Sequence, residues 1–95
     1  MGQISGPTLY LFFQAGCDHC AAAKRFLGPF REAHPNLLFV ELDVSKFPWE
    51  IAKYTPKMTP AYLLTINRTA VWNHEGVLNE QGLKKIDVEI ARWST

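Results

Sequence analysis

The sequence has two cysteines in 95 residues, Cys17 and Cys20, and no third with which either could pair. It has no apolar run near the ~20 residues that carry a helix across a bilayer, so nothing in it calls for a membrane. It has little net charge, +1, and no stretch of Lys or Arg longer than two, so it lacks the footprint of a nucleic-acid or anionic-lipid partner. Internal repeats, low-complexity tracts and linker-like segments are absent. The opening "MGQISGPTLYLFFQAG" has no basic n-region, and its apolar stretch at 9–13 is short for a secretory signal, so the expected setting is the cytoplasm. A persistent structural disulfide is not expected there. A bridge across two intervening residues also closes too small a loop to restrict the unfolded chain much. With 47% hydrophobic and 20% charged residues, the chain suits one modest core, and a single monomeric domain over 1–95 is expected.

The elements follow from pattern and punctuation. "TLYLFF" (8–13) is short, apolar and β-rich, and reads as a buried central strand. Residues 17–34 are alanine-rich and read as a helix, kinked at Gly28 and Pro29 and stopped at Pro35. Strands are expected at 37–44, 61–66 and 70–75, with Asn67 and Arg68 turning between the last two. A short helix is expected at 48–54, with Pro48 in its first turn. A closing helix at 79–93 places Leu83, Ile86 and Ile90 at helical spacing and has Asn79 as its cap. The order β-α-β-α-β-β-α makes the first two strands parallel and the last two a hairpin. One four-stranded sheet with helices on both faces accommodates all of it. Trp49, Trp72 and Trp93 fall in these elements, where packing is the expected role, and Lys84 and Lys85 read as a solvated helix face.

The two cysteines stand where a strand gives way to a helix. Unpaired N–H groups and the positive end of the helix dipole then face Cys17 and favour its thiolate, which is the nucleophilic form. Cys20, one turn on, lies beneath it and can attack a mixed disulfide, so the pair reads as a reversible dithiol–disulfide couple. A closed zinc site needs four ligands. His19, His34 and His74 lack the spacing to complete one, so no metal is expected, and exchange through a dithiol couple needs no organic cofactor.

On these residues the chain resembles the thioredoxins. "FFQAGCDHCAAAKRF" is similar to the family's strand–CxxC–helix, and residues 57–86 to its cis-proline, hairpin, glycine and last helix. The resemblance starts near Thr8 and implies an α/β thioredoxin fold: a four-stranded mixed sheet flanked by three helices, without the family's usual first strand and helix. It implies that Cys17 attacks, that Cys20 resolves, and that Thr59 and Pro60 share a cis peptide bond facing them. The backbone of Thr59 would pair with an extended substrate segment. Gly16, Met58, Glu75 and Gly76 would line the substrate groove. Without the cysteine pair, Pro60 would read as a strand-entry proline and Met58 as a core residue.

Several positions depart from the family. Asp18 and His19 replace the usual Gly-Pro between the cysteines. An imidazole stabilises the thiolate, a carboxylate opposes it, and both also read as ordinary polar residues of a helix start. Gly16 stands in place of an aromatic, and Glu75 in place of an apolar residue. The family's buried acid is replaced by Leu11. Glu41, on the next strand with Phe39 and Asp43, falls where the family has a lysine, and would take over as the proton acceptor for Cys20; its alternative is an exposed carboxylate. The activity implied is reduction of protein disulfides, with a thioredoxin reductase as the recharging partner. A more oxidising oxidase or isomerase, and a binding subunit of another enzyme, are the competing readings.

Overall fold

The computed structural model describes residues 6–46 and 50–93. Strand β1 (Pro7–Phe13) is followed by helix α1 (Asp18–Ala33), strand β2 (Leu38–Asp43), strand β3 (Ala61–Ile66), strand β4 (Thr69–Glu75) and helix α2 (Glu80–Trp93). The strands form one sheet in the order β2-β1-β3-β4. β1 runs parallel to β2 and antiparallel to β3, with Leu11 opposite Glu41 on one side and Tyr62 on the other. The expected mixed four-stranded sheet is therefore present.

The pleat sorts side chains between two packing layers. Leu9 and Leu11 of β1, with Tyr62 and Leu64 of β3, meet Ala23, Leu27 and Phe30 of α1 and Ile86 of α2 in one core. Phe12, Ala61 and Leu63 face the other way, with Tyr10, Leu42, Val44, Ile51 and Tyr54 packed against them. Both helices thus lie on the same face, not on opposite faces. The opposite face is covered by the connection between β2 and β3. The apolar stripes of α1 and α2 match the same large side chains of β1 and β3, which decides the side.

That connection also departs from the expected helix at 48–54. Positions 48 and 49, and with them Trp49, lie outside the described residues. Residues 51–54 form a tight turn: Ile51 and Tyr54 exchange N–H···O bonds of 3.0 and 2.8 Å, with Ala52 and Lys53 at φ of 51° and 68°. Left-handed backbone at two successive positions cannot continue an α-helix. The turn lets Ile51 and Tyr54 both reach the layer around Phe12. The sheet is flanked by two helices among the described residues, not three.

Elsewhere the local chemistry is ordinary. Asn79 caps α2 by accepting the Gly82 N–H at 2.9 Å. Asn67 and Arg68 make the β3–β4 turn with positive φ, and Val71 is left over where the register shifts after Leu64. α1 continues through Pro29, which leaves the carbonyl of exposed Arg25 without its helical donor. Far from the cysteines, His34 ties the end of α1 to Asp87 of α2 while its Nδ1 faces the Phe30 carbonyl at 2.9 Å. Trp72 packs on the helix-side core. Trp93 does not: it is 49% exposed, because the stripe of α2 outruns the surface that covers it, and its indole N–H donates to Glu89.

Leu64 is fully buried between β3 and both helices. Leu64→Ala should lower stability by about 2–5 kcal/mol, seen in urea unfolding as an earlier midpoint at an unchanged slope.

Candidate active site

β1 ends at Phe13, and the chain turns through Gly16, whose φ of 80° suits glycine. The Cys17 N–H closes the turn on the Gln14 carbonyl at 3.2 Å. Cys17 is then the N-cap of α1, with extended backbone (φ −92°, ψ 109°), and its Sγ accepts the Cys20 N–H at 3.1 Å. A sulfur thus occupies the place that a serine or aspartate oxygen usually takes at a cap. In the reduced state that sulfur faces the positive end of a 16-residue helix, which favours its thiolate. Here the two sulfurs are joined as a disulfide, with the Cα atoms 5.2 Å apart. Cys17 is partly exposed and Cys20 is 2% exposed.

A second segment closes on this pair. The Thr59-Pro60 peptide bond is cis. The Thr59 hydroxyl lies 3.9 Å from Cys17 Sγ, and the Pro60 carbonyl accepts the Gly76 N–H at 2.8 Å. Gly76 has φ +95°, while a Cβ there would meet only the Met58 methyl at 3.9 Å. The backbone, not crowding, is what asks for glycine. Met58 is 52% exposed beside it. Cys17, Cys20, Met58, Thr59, Pro60 and Gly76 are thereby brought into one rim.

The remaining candidates are placed as follows. Asp18 and His19 are exposed in the first turn of α1. Glu75 turns to the sheet face away from the helices, where it accepts a 2.8 Å hydrogen bond from the Tyr54 hydroxyl. This bond joins the segment leading to Met58 with the strand leading to Gly76. Burial, the bond to Glu75 and the charge of that carboxylate raise the Tyr54 pKa, and burial pushes Tyr62 up to about 12. Glu41 stands on the helix-facing side of β2, 3.4 Å from Lys24 Nζ of α1. Lys24 also lies 3.9 Å above the Phe13 ring. The pairings Tyr54–Glu75 and Lys24–Glu41 escaped the sequence reading, since each joins residues far apart in the chain.

The comparisons with known proteins agree with this geometry. Chlamydomonas reinhardtii thioredoxin f2 superposes with a TM-score of 0.72 at 15% identity, over 94% of this chain and 82% of that one. The oxidised mitochondrial thioredoxin 3 of Saccharomyces cerevisiae gives 0.68 at 15%, over 95% and 81%. Thioredoxin-1 of Caenorhabditis elegans is 25% identical over 75 residues, 79% of this chain and 65% of that protein. The chain is thioredoxin-like in fold and in sequence. No family model matches it. The thioredoxin-like chain spans about two thirds of the length of its C. elegans relative.

The two perturbed tyrosines give this thioredoxin-like fold an alkaline limit. A phenol whose folded pKa is raised adds stability that is full below its unfolded value near 10 and is lost as pH climbs through the folded value. Denaturant midpoints should therefore fall between pH 10 and 12, and Tyr54→Phe should make that fall shallower.

Proposed function

We propose that this chain is a thiol–disulfide oxidoreductase that reduces protein disulfides through Cys17 and Cys20. The observation that carries the reading is a partly exposed sulfur at a helix start with a second, buried sulfur bonded to it one turn below. In the reduced protein the Cys17 thiolate attacks one sulfur of a substrate disulfide and releases the other as a thiol after protonation. Cys20, losing its proton, then attacks Cys17 Sγ and frees the second substrate thiol. Two electrons leave the protein, which ends as the disulfide seen here. A thioredoxin reductase, or another dithiol donor, returns them. The sulfurs carry both electrons, so the reading includes no metal and no organic cofactor. It places the protein in the cytoplasm as a monomer whose partners are disulfide-containing proteins. The rim of Met58, Thr59, Pro60 and Gly76 supports an extended substrate segment lying beside Cys17.

A more oxidising poise is the second reading. It is favoured by the Cys20 N–H on Cys17 Sγ, since stabilising the thiolate raises the reduction potential. Equilibration against glutathione separates the two directions.

The test is turnover of a protein disulfide, first with dithiothreitol and then with NADPH and a thioredoxin reductase. Activity with both is expected, and Cys17→Ser should abolish it. Cys20→Ser should accumulate a mixed disulfide on Cys17, read by mass spectrometry. An adduct on Cys20 in the Cys17→Ser protein would reverse the two roles.

Within this reading Glu41, held by Lys24, is the carboxylate assigned to accept the Cys20 proton. Glu41→Gln should slow release of the mixed disulfide at neutral pH and recover in alkali, where the thiol ionises unaided. An unchanged pH profile would leave water as the acceptor.

A further inference from the structure

A cavity of about 190 Å³ opens beside the cysteine pair, on the flank of α1 that faces the chain after Gly76. One wall is a stripe of α1, His19, Ala22 and Phe26. Tyr62 and Leu78 form the buried floor, and Val77, 67% exposed, forms the far wall. Positions 22 and 23 line it with no more than methyl groups.

We propose that this cavity is a specificity pocket for one large apolar side chain of the substrate, two residues from its reacting cysteine. The proposal rests on the redox reading above and names the substrate feature that the same site selects. Three observations carry it. The first is size: small-molecule sites run to roughly 300–1,000 Å³, so this space suits a single side chain. The second is chemistry. Among the described residues the polar side chains of the lining are His19 and Tyr62, the latter a neutral phenol at ordinary pH, so a charged occupant would lose its water with no fixed opposite charge in return. The third is continuity with the disulfide. His19 lies between the two cysteines, and position 22 is about 7.5 Å along the helix from position 17 at 1.5 Å per residue. An extended peptide advances about 3.3 Å per residue and returns to the same face every second residue, about 6.6 Å. Position 22 is also about 140° around the helix from position 17. The route to the cavity is therefore past Gly76 of the rim to Val77, its neighbour in the chain and a wall of the cavity. A substrate bonded to Cys17 and lying along that route presents its second neighbour at the mouth.

The test uses homodisulfides of acetylated X-Gly-Cys-Gly-X peptides with X as Leu, Phe, Ala or Glu, reacted with the reduced protein. The second-order rate constants for Leu and Phe should exceed that for Ala by about tenfold, the effect of roughly half-burying such a side chain, with Glu slowest. Ala22→Leu fills the cavity and should bring the Leu-to-Ala ratio to about one. Val77→Ala removes a wall at an exposed position and should lower the same ratio. In parallel, the serine peptide Leu-Gly-Ser-Gly-Leu is titrated into oxidised protein while the Val77 methyl signals are followed by NMR. They should move with this peptide and stay put with its alanine counterpart. Equal rates across the panel, or a preference that survives in Ala22→Leu, would overturn the pocket and leave the redox reading standing. Val77 shifts without turnover of any disulfide would show that the cavity takes an apolar side chain but would overturn the redox reading and, with it, the pocket's role in choosing a substrate. Absence of both the shifts and the rate discrimination would overturn the proposal.

Discussion

Strand β1 is hydrogen-bonded along both edges, to β2 in parallel and to β3 antiparallel. That double pairing fixes its pleat, and the pleat fixes the rest. A slip of one residue would turn Leu9 and Leu11 away from the helices and Phe12 into them. Because β1 cannot slip, Phe13 delivers the chain to one place above the sheet. The turn through Gly16 then has a single task, which is to set Cys17 at the mouth of α1. The second segment of the site depends on the same strand, since β3 pairs with β1 and begins immediately after Pro60. The geometry around the cysteines thus follows from the two ladders of β1.

The polar contacts of the site are few and shared. Cys17 accepts its own helix's N–H, so the sulfur caps the helix and serves as the candidate nucleophile. Capping usually falls to an oxygen. Entrusting it to a sulfur couples the helix end to the redox state of the pair, because the negative charge of a thiolate interacts more strongly with the helix end than a disulfide sulfur does. Lys24 likewise serves twice, over the Phe13 ring and beside the Glu41 carboxylate.

What could be read from the sequence was whatever is written locally. β3 runs over 61–66 as expected, since six buried residues are bracketed by Pro60 and by the Asn67 turn. α1 and α2 follow their apolar stripes to within a residue or so at each end. The cysteine pair was legible because its chemistry depends on spacing along the chain, whereas the role of Pro60 was legible only through the resemblance to the thioredoxins. The segment at 48–54 was not. Ile51 and Tyr54 three residues apart fit a helix as well as a tight turn, and only the layer around Phe12 decides between them. The side of the sheet on which each helix lies is also unwritten locally, because a stripe shows that a helix is buried but not against what. The cavity beside Ala22 had one faint signal, the run of three alanines after Cys20 where larger residues would fill the flank.

The bond between Tyr54 and Glu75 joins two stretches that are 21 residues apart in sequence. Loss of the phenol strands a partly buried carboxylate, and loss of the carboxylate strands a partly buried hydroxyl. Either change alone is worse than both together, so substitutions at the two positions are coupled in evolutionary time. Among descendants of this sequence they should change as a pair, passing from Tyr with Glu to two apolar residues more readily than through either intermediate.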